Sequence, residues 1–223
     1  MQSVGGVAQV VADDETLPRF DLYCLLPSLP LAFGTELSSI PARVPYLWPR
    51  PELVDEWRAR APQSGRLRIG ICWAGNRDHL NDRRRSIPLE QFAAILSVGG
   101  VDFVSLQKDV SEAQAAILRE HQVAQLGGEF ADFADTAAVV ATLDLVIAVD
   151  TSVGHLAGAM GKAVALLVPF APDFRWLLAR TDSPWYPTMR LFRQSAIDDW
   201  QGPLERLRSE LAALAGQPGR AGG

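Results

Sequence analysis

Cysteine is scarce in this 223-residue chain: Cys24 and Cys72 are the only two, far apart and each among apolar neighbours. They are expected as reduced, semi-buried thiols. With three histidines (His79, His121, His155) at unrelated spacings, they give no zinc template, so no metal site is expected. Basic charge is short as well, with 21 Lys and Arg against 26 Asp and Glu and a net charge of −5. That balance argues against a general nucleic-acid binder, whose footprint is a basic surface, but leaves room for a local basic pocket. No apolar run approaches ~20 residues, so no transmembrane segment is expected. The start, MQSVGGVAQVVADDE, has neither the basic nor the long apolar region of a signal peptide. The expected location is therefore cytoplasmic. A GxGxxG fingerprint is missing too, which leaves NAD binding without support.

What is present can bury a real core: 48% of the residues are apolar and 21% charged. The length suggests one large domain, or one and a half. VAQVVA (7–12) and FDLYC (20–24) read as possible short strands. Residues 25–51 carry prolines at 27, 30, 41, 45, 49 and 51, which forbid a long helix and predict a connection with at most a turn or two. The apolar content of that stretch predicts that it packs onto something. ELVDEWRAR (52–60) reads as a short amphipathic helix, with Leu53 and Trp57 one turn apart.

From Leu67 the pattern becomes regular. Strands are expected at 67–75, 101–107, 123–127, 145–149 and 163–169, with helices at 89–98, 111–121, 133–143 and 152–160. PDFRWLLAR (172–180) reads as a short helix, MRLFRQ (189–194) as an edge strand and 198–216 as a final amphipathic helix. Residues 216–223 read as a frayed, flexible tail. Short strands alternating with helices, several apolar throughout, predict an α/β fold: a Rossmann-like parallel sheet with helices on both faces.

In such sheets ligands bind beyond the carboxyl ends of the strands. Three predicted strand ends are polar: Trp73, Gly75 and Asn76; Gln107 and Lys108; and Asp150, Thr151 and Ser152. At Thr151 and Ser152 a helix begins, whose free N–H groups and dipole favour a phosphate; the competing reading is a plain helix cap. His155 lies one turn further, on the face of Thr151. Loop 76–88 gathers Arg77, Arg83, Arg84 and Arg85, either a solvated charge run or a source of phosphate contacts. Asp132 and Asp135 precede an apolar helix, where capping is the default role. Trp176 and Trp185 suit core or surface packing better than ring stacking. Asp150 after an apolar strand also admits a phosphohydrolase nucleophile, but the second Asp such enzymes use two places on is Ser152 here.

The segments LPLAFGTELSSIPARVPYL, RIGICWAGNRDHLNDRRRSIPLEQF, DFADTAAVVATLDLVIA, VDTSVGHLAGAMGK and DSPWYPTMRLFRQ occur in that order within roughly residues 18–210. Together they resemble bacterial glycosyltransferases of the heptosyltransferase-like family 9, most closely the catalytic region found behind tetratricopeptide repeats. The resemblance implies the C-terminal half of a GT-B architecture, in which two Rossmann-like domains face each other and the second holds most of the nucleotide-sugar contacts. It places Asp150, Thr151 and His155 against the pyrophosphate and donor sugar, and Arg85 on phosphate. Gln107 and Lys108 then lie near the nucleoside, and the turn from Phe133 through Asp135 to Thr136 near the base. The implied partner is a nucleoside diphosphate sugar, with no cofactor and no obligatory metal.

Residues 1–66 are too few for another Rossmann-like domain and are expected to be a remnant of the first domain plus the interdomain connection, ahead of a binding domain over 67–215. In the family the first domain binds acceptor and usually supplies the carboxylate base, so no catalytic residue is assigned here. A non-catalytic sugar-nucleotide-binding or assembly module is the alternative. Self-association is expected through the face that would meet the first domain.

Overall fold

A computed structural model of the chain describes residues 6–12 and 14–216. Its centre is a six-stranded sheet made of β1 (Leu67–Cys72), β2 (Val101–Ser105), β3 (Ala124–Gln125), β4 (Leu145–Val149), β5 (Val164–Val168) and β6 (Met189–Arg193). The spatial order is β3-β2-β1-β4-β5-β6 and every pairing is parallel. The chain builds outward from β1 to β3, then returns to the other side of β1 with β4 and builds outward again. The order therefore reverses between β1 and β4, the place where an open α/β sheet leaves a crevice.

The helices are α1 (Leu29–Ala32), α2 (Pro51–Arg60), α3 (Asp82–Arg85), α4 (Leu89–Leu96), α5 (Glu112–Glu120), α6 (Phe133–Ala141), α7 (Ser152–Ala159) and α8 (Gln201–Ala215). Period-two alternation along the strands divides the core between the two faces of the sheet. Ile69, Ile71, Ile147, Val149 and Leu167 pack with Phe92 of α4 and with Leu204, Leu207 and Leu211 of α8. Cys72, Val146, Ala148, Leu166 and Val168 pack with Val54 and Trp57 of α2, Val139 of α6 and Ala157 of α7. With both faces covered, an all-apolar strand such as LVIAV is what the position requires.

Local chemistry sets the helix ends. Ser111 and Gln114 form a reciprocal capping box at α5. Asp132 Oδ1 accepts from Ala134 N at 2.6 Å to cap α6, as its position before the apolar run predicts. At the other end of α6, Lys162 Nζ donates to the Ala141 and Leu143 carbonyls, both at 2.8 Å.

Several expected elements differ. Neither 7–12 nor 20–24 is a strand: none of these residues pairs with either edge of the six-stranded sheet. The prolines do restrict 25–51 to short turns and α1, but the stretch packs far less than its composition predicts. Leu25, Leu26, Leu31, Phe33 and Leu37 are exposed, and only around Val44 and Leu47 does the segment join the core. There Tyr46 N donates to the carbonyl of Ala159 at the end of α7, at 2.9 Å. Cys24 is exposed rather than semi-buried, whereas Cys72 is buried.

β1 stops at Cys72 because side chains take over its backbone: Ala74 N donates to Gln107 Oε1 and Gly75 N to Ser86 Oγ. The arginine loop contains the single turn α3. Residues 172–180 form only the 3-10 turn Phe174–Trp176, which ends where Leu177 takes φ 54°. The last helix buries Trp200, Leu204, Leu207 and Leu211 as its spacing predicts. The expected flexible tail lies outside the described residues beyond Gly216. No helix among the described residues is long and apolar enough to cross a membrane.

Candidate functional site

Two adjoining cavities open at the carboxyl ends of β1 and β4, at the switch point. The larger, about 620 Å³, runs from the β1 end (Gly75, Asn76) past Gln107 and Lys108 to Phe130, Phe133 and Thr136 at the start of α6. The smaller, about 490 Å³, lies beside Asp150, His155 and the 171–175 loop. Arg85, Thr151 and Ser152 line both and form the ridge between them.

Arg85 is the one loop arginine built into this ridge. Its Nη1 donates to the Asp150 carbonyl at 2.9 Å, and its Nε lies 3.4 Å from Asp82 Oδ1. Asp82, buried, also accepts from Ser86 Oγ at 2.9 Å, which fixes the carboxylate that aims the guanidinium. Glycine at 75 makes room for the pair: a Cβ there would sit 2.5 Å from Arg85 Nη2 and 2.7 Å from Asp82 Oδ1. Arg84 reaches only the smaller cavity, while Arg77 and Arg83 line neither.

Thr151 is the N-cap residue of α7, yet its side chain makes no capping bond. Its hydroxyl donates back to the Val149 carbonyl at 3.2 Å. The plain-cap reading of this helix start therefore does not hold for Thr151. The first-turn N–H groups of α7 and the positive end of its dipole are left facing the ridge that Arg85 occupies.

Asp150 and His155 meet in the smaller cavity. Asp150 Oδ1 lies 3.6 Å from His155 Nε2, ion-pair reach and slightly longer than a hydrogen bond. Burial is the largest influence on the Asp150 carboxyl and pushes its pKa up, but the His155 ring, the Trp176 indole and Arg85 outweigh it. The net shift is downward, so the group is a carboxylate at neutral pH. Trp176 Nε1 is turned toward it but closes no hydrogen bond and is left buried without a partner.

Two of the expected site residues point elsewhere. Trp73 is buried among Ile87, Phe92 and their neighbours and lines neither cavity. The Asp135 carboxylate is taken up by Trp57 Nε1 at 3.0 Å and Ala131 N at 2.8 Å, on the α2 side of α6. The remaining expected residues (Gly75, Asn76, Arg85, Gln107, Lys108, Phe133, Thr136, Asp150, Thr151, Ser152 and His155) all line one cavity or both. Among the described residues no three His, Cys, Asp or Glu side chains gather as metal ligands.

Chemically, the ridge offers a guanidinium and helix amides to an anion. The larger cavity offers Phe130, Phe133, Leu106 and Val153 to a flat ring, and the smaller offers a carboxylate and an imidazole to hydroxyls.

No protein-family model matches the chain. Protein FlbA of Caulobacter vibrioides is 27% identical over 212 residues, which take in 90% of this chain and 34% of that protein. The chain thus spans about a third of the length of this curated relative. Among solved structures, E. coli ADP-heptose lps heptosyltransferase II superposes with a TM-score of 0.54 at 20% identity, over 78% of this chain and 55% of that one. The glycosyl transferase family 9 from Veillonella parvula DSM 2008 gives 0.57 at 14% identity, over 76% and 53%.

The chain shares its Rossmann-like α/β fold with about half of each of these two glycosyltransferase chains.

Within this fold, several cavity residues escaped the sequence pattern. Phe130, Asp132 and Val153 flank expected positions and differ from them only in which way they face. The Ala171–Arg175 loop follows the end of β5, and reading that strand end alongside the other three would have found it. Cys72 and Leu106 lie under the floor of the larger cavity, where an apolar strand residue carries no signal of its own.

Proposed function

We propose that this chain is the donor-binding half of a glycosyltransferase that moves a sugar from a nucleoside diphosphate sugar to an acceptor hydroxyl. One observation carries the reading: Arg85 and the uncapped start of α7 converge on a ridge between a ring-sized cavity and a polar one, at the switch point. A nucleoside diphosphate sugar has that sequence of parts: flat base, diphosphate, hydroxyl-rich sugar.

The base and ribose occupy the larger cavity against Phe130 and Phe133, with Gln107, Lys108 and Thr136 in polar contact. The diphosphate lies over the ridge, its charge met by Arg85, Ser152, Thr151 and the first amides of α7, with no obligatory metal. Asp150 orients the sugar and His155 supports the phosphate pocket. Charge on the departing diphosphate grows as the glycosidic bond breaks, so donors already aimed at it favour the transition state over the ground state. The catalytic base that takes the acceptor proton is not assigned to this chain.

The similarity to a heptosyltransferase and to a family 9 glycosyl transferase supports the reading at the level of fold. Calorimetric titration with UDP- and ADP-sugars tests it. Binding by the wild type, weakened in Arg85→Ala and Thr151→Ala, is the expected result. No binding, or binding indifferent to both substitutions, overturns it.

The exposed side chains of Leu17, Phe20, Leu22, Leu26, Leu31 and Phe33 favour a second reading, in which the chain binds sugar nucleotides as an assembly module without turnover. Turnover of a nucleotide sugar by this chain alone would eliminate it. Through the same residues the chain is proposed to self-associate, and a strictly monomeric light-scattering mass would refute that.

A further inference from the structure

The surroundings of His155 carry an inference of their own. We infer that Tyr186 is a positioning residue of the site, fixing His155 in the tautomer whose Nε2–H faces the Asp150 carboxylate.

The imidazole is held on three sides. Its Nδ1 lies 3.1 Å from the Tyr186 hydroxyl, and its Nε2 3.6 Å from Asp150 Oδ1. One ring face stacks on buried Trp176, with centroids 5.1 Å apart and planes at 24°. The Tyr186 ring stands edge-on to it at 5.7 Å.

A neutral imidazole carries one proton, on one nitrogen. Asp150, as a carboxylate, can only accept, so the nitrogen facing it must be the donor. That leaves the Nδ1 lone pair, into which the Tyr186 O–H donates. Tyr186 keeps its proton because burial, above all, pushes the phenol pKa upward.

Tyr186 is itself firmly seated. Its N–H and that of Trp185 donate to Ser183 Oγ at 3.3 and 3.2 Å, forming the turn that presents the ring. Gly158 of α7 gives the ring its space, since a Cβ there would lie 2.7 Å from Tyr186 Cγ. Neither the turn nor the glycine touches a cavity; both act through His155. With the opposite tautomer, the Nε2 lone pair would face the carboxylate across 3.6 Å and Asp150 would lose that donor.

The effect on ligand binding rests on the donor-pocket reading above, whereas the tautomer does not. The test is a long-range proton–nitrogen correlation spectrum of the full chain at neutral pH. Three histidines are present, and the His155 signal is assigned by its loss in His155→Asn. The expected result is a single Nε2–H tautomer in the wild type and a mixture of both in Tyr186→Phe. An Nδ1–H tautomer in the wild type overturns the inference whether or not the variant folds, as does an unchanged tautomer in Tyr186→Phe. In a parallel titration with UDP and ADP, Tyr186→Phe is expected to bind several-fold more weakly than the wild type, with its thermal midpoint little changed. If neither nucleotide binds the wild type, the donor reading falls and the spectrum alone decides the role of Tyr186.

Discussion

Arg85 Nη1 donates a hydrogen bond of 2.9 Å to the carbonyl oxygen of Asp150, so the loop that follows β1 is tied to the end of β4. The two strands on either side of the switch point thereby share one cation. That cation sits beside a helix start with no side-chain cap, so the two positive features point at the same space.

Removing the guanidinium separates those features. Arg85→Ala is expected to weaken nucleoside diphosphate binding by roughly tenfold to a hundredfold, the range for losing charge-assisted hydrogen bonds. Arg85→Lys recovers only part of this, because a point charge lacks the planar fork. Gly75→Ala should mimic the loss without touching Arg85, since its Cβ would displace Nη2 from 2.5 Å away. Calorimetry on the three variants checks this, and wild-type affinity in Gly75→Ala would contradict it.

A second prediction concerns acid stability. The Trp57 indole N–H is the main cause that lowers the Asp135 pKa, with burial opposing it and the Ala131 and Asp132 amides and Arg60 adding to it. A depressed carboxyl pKa stabilises the fold above the unfolded value of about 3.9 and loses that contribution as pH falls through the folded value. Trp57→Phe should therefore be less stable than the wild type at neutral pH by more than at about pH 3, where Asp135 is increasingly protonated in both. Urea denaturation of both proteins at the two pH values measures the difference. A constant gap would show that lost packing accounts for all of it.

The thiols give a third prediction. Burial dominates at Cys72 and pushes its pKa up to about 11, with Thr151, the Ala74 carbonyl and Arg85 pulling weakly the other way. Thiolate is the reactive form, so Cys72 should be inert at pH 8 while exposed Cys24 reacts readily. A chromogenic disulfide reagent should then count one thiol at once and the second only after unfolding. Two fast thiols would contradict the placement of Cys72.

Most of the sheet was legible because its signals are local. The run LVIAV has to be a doubly covered strand, and the polar residues after it have to sit at a crevice once the sheet is parallel. The direction in which a side chain faces was not legible. Asp135 and Thr136 are adjacent, yet Thr136 lines the larger cavity while the Asp135 carboxylate turns to Trp57, 78 positions earlier in the chain. Trp73 differs: it continues the period-two alternation of Ile69 and Ile71 and joins their side of the core, a placement that strand parity carries and the position at a strand end does not. The apolar content of 25–51 suggested packing, but hydrophobicity names no partner, and Leu25, Leu26, Leu31, Phe33 and Leu37 stay exposed.

The seat of Tyr186 leads to the last prediction. Gly158 lies in α7, where alanine would ordinarily stabilise a helix by up to about 1 kcal/mol. Here the added Cβ would come within 2.7 Å of Tyr186 Cγ and 2.8 Å of Cδ1, closer than real contacts allow. The aromatic ring cannot give way freely, because His155 and Trp176 border it. Overpacking of this kind costs about 1–3 kcal/mol, which exceeds the helix gain. Gly158→Ala is therefore expected to lower stability on balance and to move Tyr186 off His155 Nδ1. Gly154→Ala is the control, since its Cβ would meet chiefly the flexible tip of Leu166 at 2.9 Å. Denaturant melts should show a larger loss for Gly158→Ala, and only that variant should disturb the His155 tautomer. Equal losses with an undisturbed His155 would mean that Tyr186 is free to shift and does not position the ring.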